Sequence, residues 1–257
     1  MLRRAALMAA DTLASAGVSG GVIQDSWDKI IEIAQAGRAS EFYSVGNKKS
    51  LSWGWQGTIN MILVGINVDT KSDGTGKANM TWMASSPLSK QTWYEYKKKA
   101  TTSTPHMSEL VGNVSYSTST VAYYTQGLEL LLPKNVQQAI VKVKKTFCTD
   151  GGTGATSQGD YGVWIPSGKE LSCTYQFSET LSESTGVVYG VKPSWFSISS
   201  EFWLRGMGLT SRQGSVSETR YGALYCHIVN SNFHARPDGS QSNYAQEARS
   251  ILPCFCL

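Results

Sequence analysis

The chain has 257 residues, with 23 Lys and Arg against 19 Asp and Glu, a formal net charge of +4, and only 16% charged residues. Eight Trp, twelve Tyr and 25 Gly accompany that low charge, a composition too apolar for disorder and better suited to short strands and turns than to helical bundles. The small, scattered charge excludes nucleic acid as an expected partner, and Lys97-Lys98-Lys99 beside Trp93, Tyr94 and Tyr96 reads as a solvated edge. No run of about 18 apolar residues occurs, so no helical membrane span is expected.

Residues 1–24 read as an N-terminal docking arm. Met1-Leu2-Arg3-Arg4 and the alanines after it imitate a signal peptide, but Asp11 interrupts the apolar stretch too early. A helix follows, capped by Asp25 or Ser26, with Trp27, Ile30, Ile31 and Ala34 on one face and Gly37 closing it. A strand is expected around Phe42–Val45, a turn at Gly46-Asn47, then strands near Lys49–Trp53 and Thr58–Asn67 flanking a turn at Gly54–Gly57. The apolar run Ile59–Ile66 has the character of a central strand buried on both faces. Residues 68–80 are a polar loop, and no elements are assigned in 84–126. A second helix is expected after Pro133, with Val136, Ile140 and Val143 on its face and Lys142, Lys144 and Lys145 at its C-terminus. A Gly-rich loop, Asp150–Asp160, leads into Tyr161–Pro166, and short strands alternate with polar loops from Glu201 to the end. The expectation is one α+β domain, residues 25–257: two helices on a twisted, mainly antiparallel sheet with long loops.

Motifs for catalysis or cofactor binding are weak. Asp69–Gly74 suggests a calcium loop, but Lys71 and Met80 occupy positions that need oxygen ligands. Gly74-Thr75-Gly76-Lys77 lacks the first glycine of a phosphate loop and has Ala78 where a hydroxyl belongs. Of the three histidines, His106, His227 and His234, only His227 adjoins a cysteine, and neighbours on a strand point to opposite faces. Glu179 with Glu183, or Glu129, would need a cleft to act as paired carboxylates. Cys148, Cys173, Cys226, Cys254 and Cys256 show no metal spacing and read as buried free thiols made in a reducing cytosol, with Cys254 and Cys256 sharing one strand face. No metal and no cofactor is expected. Trp82, Trp93, Trp164, Trp195 and Trp203 read as core. The last quarter, by contrast, is crowded with Tyr, Asn, Ser, His and Arg, the chemistry of adaptable recognition surfaces.

Trp27–Ile31 with Gly37, Tyr43–Gly46, Met61–Asp69, Gly76–Trp82, Leu132-Pro133 with Val136, Ile140 and Val143–Lys145, Val163–Ser167 with Glu170, Phe202–Arg205 and Pro253–Cys256 follow one another in this order and spacing. Together they resemble a family of uncharacterised modules of gut bacteria and their phages that are related to the C-type-lectin-like fold. Leu252 stands where the family tends to carry Arg, and residues 105–126 do not match its middle stretch. The resemblance implies a terminal strand that returns beside the first, and a Trp203-Leu204-Arg205 strand supporting surface loops. It also implies similarity to the variable proteins of diversity-generating retroelements, whose lectin-like C-terminal face takes scattered ligand-facing substitutions. Residues 212–249 would play that part, with Arg212, Tyr221, His227, Asn230, Asn232, His234, Arg236, Asp238, Asn243 and Tyr244 as candidate ligand-binding residues. The Glu-Pro-Asn and Trp-Asn-Asp signatures of calcium-dependent sugar binding are absent from the sequence.

The expected function is therefore that of a non-enzymatic bacteriophage virion-surface protein, made in the host cytoplasm, that binds a host receptor or decorates the particle. Expected partners are other virion proteins through the arm and a bacterial surface receptor, protein or glycan, with homo-oligomers left open. The alternatives are a purely structural capsid or tail component, and an enzyme acting on surface glycans or thiols.

Overall fold

The computed structural model of the chain describes residues 20–91, 116–148, 156–175, 187–211, 219–237 and 248–257. Within them the fold is α+β, with mostly antiparallel sheets and few helices. The helices are α1 (Trp27–Gln35), α2 (Ala39–Phe42), α3 (Thr120–Gly127) and α4 (Lys134–Ala139). Along the chain the strands are β1 (Lys48–Ser52), β2 (Thr58–Ile66), β3 (Met80–Ala84), β4 (Lys90–Gln91), β5 (Val143–Cys148), β6 (Thr156–Tyr161) and β7 (Val163–Trp164). After them come β8 (Thr174–Tyr175), β9 (Phe202–Ser211), β10 (Thr219–Val229), β11 (Asn232–Pro237), β12 (Arg249–Ser250) and β13 (Cys254–Cys256).

Helix α1 starts and stops where its sequence directs. Ser26 Oγ accepts from the Lys29 N–H at 3.2 Å. At the other end Gly37 takes a φ of +71°, and the amides of Gly37 and Arg38 fold back onto Ala34 O and Ile33 O. The five-stranded sheet, ordered β1-β2-β3-β13-β7, is antiparallel throughout. Period-two alternation divides its faces. Phe255 and its register partner Trp82 meet Trp27 of α1, with ring centroids 6.2 and 5.1 Å away, while Cys256 turns to the opposite face and Thr81 Oγ1 at 3.3 Å. The β2–β3 register slips between Leu63 and Gly65, where a Cβ on Gly65 would run into Val68 Cγ2.

The six-stranded sheet is ordered β4-β12-β9-β10-β11-β8, with β12–β9 and β11–β8 parallel and the other pairs antiparallel. Arg249 is buried in it, its guanidinium 4.7 Å from the Trp203 ring and 4.0 Å from the Tyr225 ring, and paired with Glu201 at 3.0 Å. A two-stranded ribbon, β5–β6, completes the architecture, and Lys71 bridges to Val143 at its start. The last described stretch, 248–257, serves both large sheets through β12 and β13.

Several expectations need correction. Four α-helices occur among the described residues, not two. The expected strand at Phe42–Val45 is instead α2 and a turn, because Asn79, distant in sequence, supplies Oδ1 to the Ala39 N–H at 3.0 Å. The second helix ends at Ala139: Ile140 adopts ψ +127°, and the three lysines lie beyond it, with Lys144 and Lys145 in β5 paired to β6. The Gly-rich loop gives way to β6 at Thr156. The terminal strand lies between β3 and β7, with β2 and β3 between it and β1. Finally, Ile23 is buried and its N–H bonds Lys48 O at 2.8 Å, so the packed chain already includes the last residues assigned to the arm.

Candidate functional site

The β10–β11 hairpin carries the central part of the expected recognition face. Its turn consists of Asn230 and Ser231, with φ of +49° and +61°, the signature of a tight type I′ turn whose twist matches the flanking strands. Val229, Asn230, Ser231 and Asn232 are all exposed there. His227 and His234 are direct cross-strand partners, their rings stacked at 5.7 Å, and Thr174 Oγ1 lies 3.2 Å from His234 Nδ1. His227, Asn230, Asn232 and His234 are therefore brought together on one hairpin. Tyr221 and Arg236 lie on the backbones of β10 and β11, opposite Leu209 and Tyr225. Arg212, Asp238, Asn243 and Tyr244 lie outside the described residues, as do Glu179 and Glu183.

A second constellation was not anticipated. Lys145, Asp69, Glu170 and Arg205 form a buried ion cluster, each side chain only 3% exposed. Alternation along β5 turns Val143, Lys145 and Phe147 inward and leaves Lys144 exposed. Lys145 Nζ donates to Asp69 Oδ1 at 2.5 Å, Glu170 Oε1 at 2.9 Å and Tyr189 Oη at 2.7 Å, and sits 4.3 Å above the Trp164 ring. Arg205, on β9, donates from Nε to Thr146 O at 3.0 Å, from Nη1 to Ile165 O at 2.6 Å and from Nη2 to Glu170 Oε1 at 2.9 Å. Glu170 is set by a reciprocal turn with Ser167: Ser167 N–H donates to Oε2 at 2.8 Å, and Glu170 N–H donates to Ser167 Oγ at 3.2 Å. Thr81 Oγ1 donates to Asp69 Oδ2 at 2.7 Å.

Burial alone would push the Glu170 carboxyl up, but Arg205 and Lys145 outweigh it and hold it at about 2. Burial pulls the Lys145 ammonium down, and Glu170 and Asp69 more than offset this, leaving it raised. The cluster is thus two cations against two carboxylates, with charge neutralised internally. Over it lies a cavity of about 340 Å³. The one local signal for the cluster was the Ser167-x-x-Glu170 spacing. Asp69 belonged to a calcium loop weighed against and Lys145 to a helix end, so neither marked an interior position.

The thiols of Cys226, Cys254 and Cys256 are pushed well above their ordinary value by burial, and Cys173 Sγ lies 3.7 Å from Cys226 Sγ. The side chain of Cys148 is outside the described set. Cys226 is fully buried while its neighbour His227 is half-buried. Asp69, the first residue of the weighed calcium loop, is held by Lys145 and Thr81, and among the described residues no three His, Cys, Asp or Glu gather as a metal-holding group. Trp82, Trp164 and Trp203 are fully buried and Trp195 partly so, while Trp93 and His106 are outside the described residues. No protein-family model matches this chain, and neither a curated protein nor a solved structure matches it.

Proposed function

We propose that this chain is a non-catalytic recognition module with a C-type-lectin-like fold, carried on the outside of a bacteriophage particle, where it binds a protein or glycan receptor of the host cell. The observation that carries this reading is the β10–β11 hairpin, which holds polar groups outward on a rigid support. A two-residue turn with both φ positive fixes the tip, and the cross-strand His227–His234 stack stiffens the strands below it. Such preorganised polar and aromatic groups lower the ordering cost of binding. The sequence resemblance supplies the fold family and the particle context. The non-enzymatic part is supported by the buried state of three described thiols and by the pairing of the buried carboxylates with cations.

The test is binding of fluorescently labelled protein to a panel of intact gut-bacterial cells, with and without EDTA. Saturable binding to a few strains that survives EDTA is expected. The Asn230→Gly/Asn232→Ala/His234→Phe variant, which keeps a residue suited to the positive φ at 230 and an aromatic ring against His227, should lose about tenfold or more in affinity while remaining folded by circular dichroism. Absence of binding to every strain would replace the receptor role with that of a structural capsid or tail component. Turnover of a cell-wall glycan would replace it with an enzyme. Removing residues 1–19 should release the module from particles while leaving it folded.

A further inference from the structure

We propose that the cavity above the Lys145–Glu170 cluster binds a small anion, one carrying a carboxylate or phosphate on a body no larger than a monosaccharide. This site uses none of the hairpin residues and does not depend on the recognition role proposed for them. The cavity, about 340 Å³, is at the small end of the range that takes organic ligands.

Its lining decides the sign of the ligand. Among the described residues, four cations, Lys77, Lys144, Lys145 and Arg205, line it against two carboxylates, Asp69 and Glu170, so the difference there is +2. Both carboxylates are already saturated: Asp69 accepts from Lys145, Tyr189 and Thr81, and Glu170 from Lys145, Arg205 and the Ser167 amide. They therefore have little capacity left for a cationic guest. The surplus charge stands at the rim. Lys77 is exposed and its Nζ is held by the Thr70 hydroxyl at 2.8 Å, with no carboxylate among the described residues on it. Lys144 meets Asp160 only at 3.7 Å, with both side chains about half exposed, a separation and exposure at which an ion pair holds its partner weakly.

The backbone ladder continues past the rim. Lys71 bridges to Val143, and the amide of Ser72 donates to Lys142 O at 2.9 Å, so two more lysines flank the rim segment. A positive rim of this kind concentrates anions near the opening. The walls favour a hydroxylated body over an apolar one: Thr146, Gln158 and Ser167 line the cavity, and among the described residues Val187 is its one aliphatic side chain. With the floor neutral and fixed, an incoming carboxylate or phosphate would bridge Lys77 and Lys144 and place its remaining oxygens against these neutral groups.

The experiment is calorimetric titration of the full chain at constant ionic strength with D-glucuronate, inorganic phosphate and glucose. Saturable binding of glucuronate, phosphate or both is expected with a dissociation constant of about 0.1–10 mM, and none with glucose. Glucuronate alone would identify a carboxylate sugar as the ligand type, phosphate alone a phosphoryl group, and both a general oxyanion site. Lys77→Glu/Lys144→Glu should weaken binding about tenfold or more while the melting temperature stays put, because both side chains are solvent-exposed. Lys77→Gln/Lys144→Gln should fall between that variant and the native chain. Binding of neither anion below about 10 mM, or charge-reversed protein that binds as well as the native chain, would overturn the proposal.

Discussion

Lys145 has a carboxylate on either side and an aromatic ring beneath it, and its side chain is only 3% exposed. Removing the ammonium strands Asp69 and Glu170 in the interior with Arg205 as the remaining cation. Breaking a buried ion pair from one side costs more than the pair contributes, because the partner keeps its desolvation penalty. Lys145→Met should therefore lower unfolding stability by about 3–5 kcal/mol in urea titrations. Glu170 gives the pH dependence. Its folded value of about 2 lies below the ordinary carboxylate value, so its stabilisation is fully present above about pH 4.5 and is lost as pH falls toward 2. Stability measured across that window should decline on acidification, and Glu170→Gln should flatten the decline. The thiols supply a third check at this scale. Burial raises Cys226, Cys254 and Cys256, so a thiol reagent at neutral pH should leave all three unmodified in native protein and label them after denaturation, as read by peptide mass spectrometry. The shared inward face of Cys254 and Cys256 was legible from their spacing alone. The burial of Lys145 was not, since nothing local distinguishes it from Lys142 and Lys144; only pairing of β5 with β6 and the acids brought from residues 69 and 170 make it an interior residue.

At the scale of elements, what could be read early is what local chemistry decides. Ser26 and Gly37 bound α1, and the run Ile59–Ile66 became β2, with Met61 through Val64 almost fully buried. The misread elements are those that distant residues settle. Val136, Ile140 and Val143 have helical spacing, yet Val143 is bridged to Lys71 and Val141 donates to Cys256 O at 3.0 Å, so the chain extends after Ala139. In α2 the N-terminal partner comes from Asn79, forty positions away in sequence. The hairpin tip was legible only as polar. Its turn carries a testable strain, because Ser231 at φ +61° occupies the left-handed region that costs a residue with a Cβ about 1–2 kcal/mol. Glycine removes that cost and gives part of it back through unfolded-state entropy. Ser231→Gly should accordingly stabilise the protein by about 0.5–1 kcal/mol in thermal or urea unfolding, and a Ser231→Val change should destabilise it.

Across the molecule, the chain crosses between the two large sheets several times within the described residues, from β3 to β4, from β7 to β8 and from β12 to β13. Two of the joints between those sheets bear most directly on how it should unfold. One is covalent: within residues 249–257 the backbone runs from β12 in the six-stranded sheet to β13 in the interior of the five-stranded one. The other is the ion cluster, where Thr81 and Cys256 of the first sheet, Lys145 of the ribbon and Arg205 of the second converge on Asp69 and Glu170. Neither sheet can lose its contact to the other without exposing a buried charge or pulling out a central strand. A chain of 257 residues exceeds the size at which all-or-none unfolding is the ordinary case, so cooperative unfolding here would need such joints between the sheets. Phe255 offers the cleanest perturbation, being fully buried between Trp27 and Trp53 on the helix side of β13 and out of contact with the cluster's acids. Phe255→Ala should cost about 3–5 kcal/mol. Far-UV and near-UV circular dichroism of the variant should still fall in one coincident transition, shifted to lower urea. Two separated transitions would mean that the six-stranded sheet holds without its neighbour and that the ion cluster is a local rather than a connecting feature.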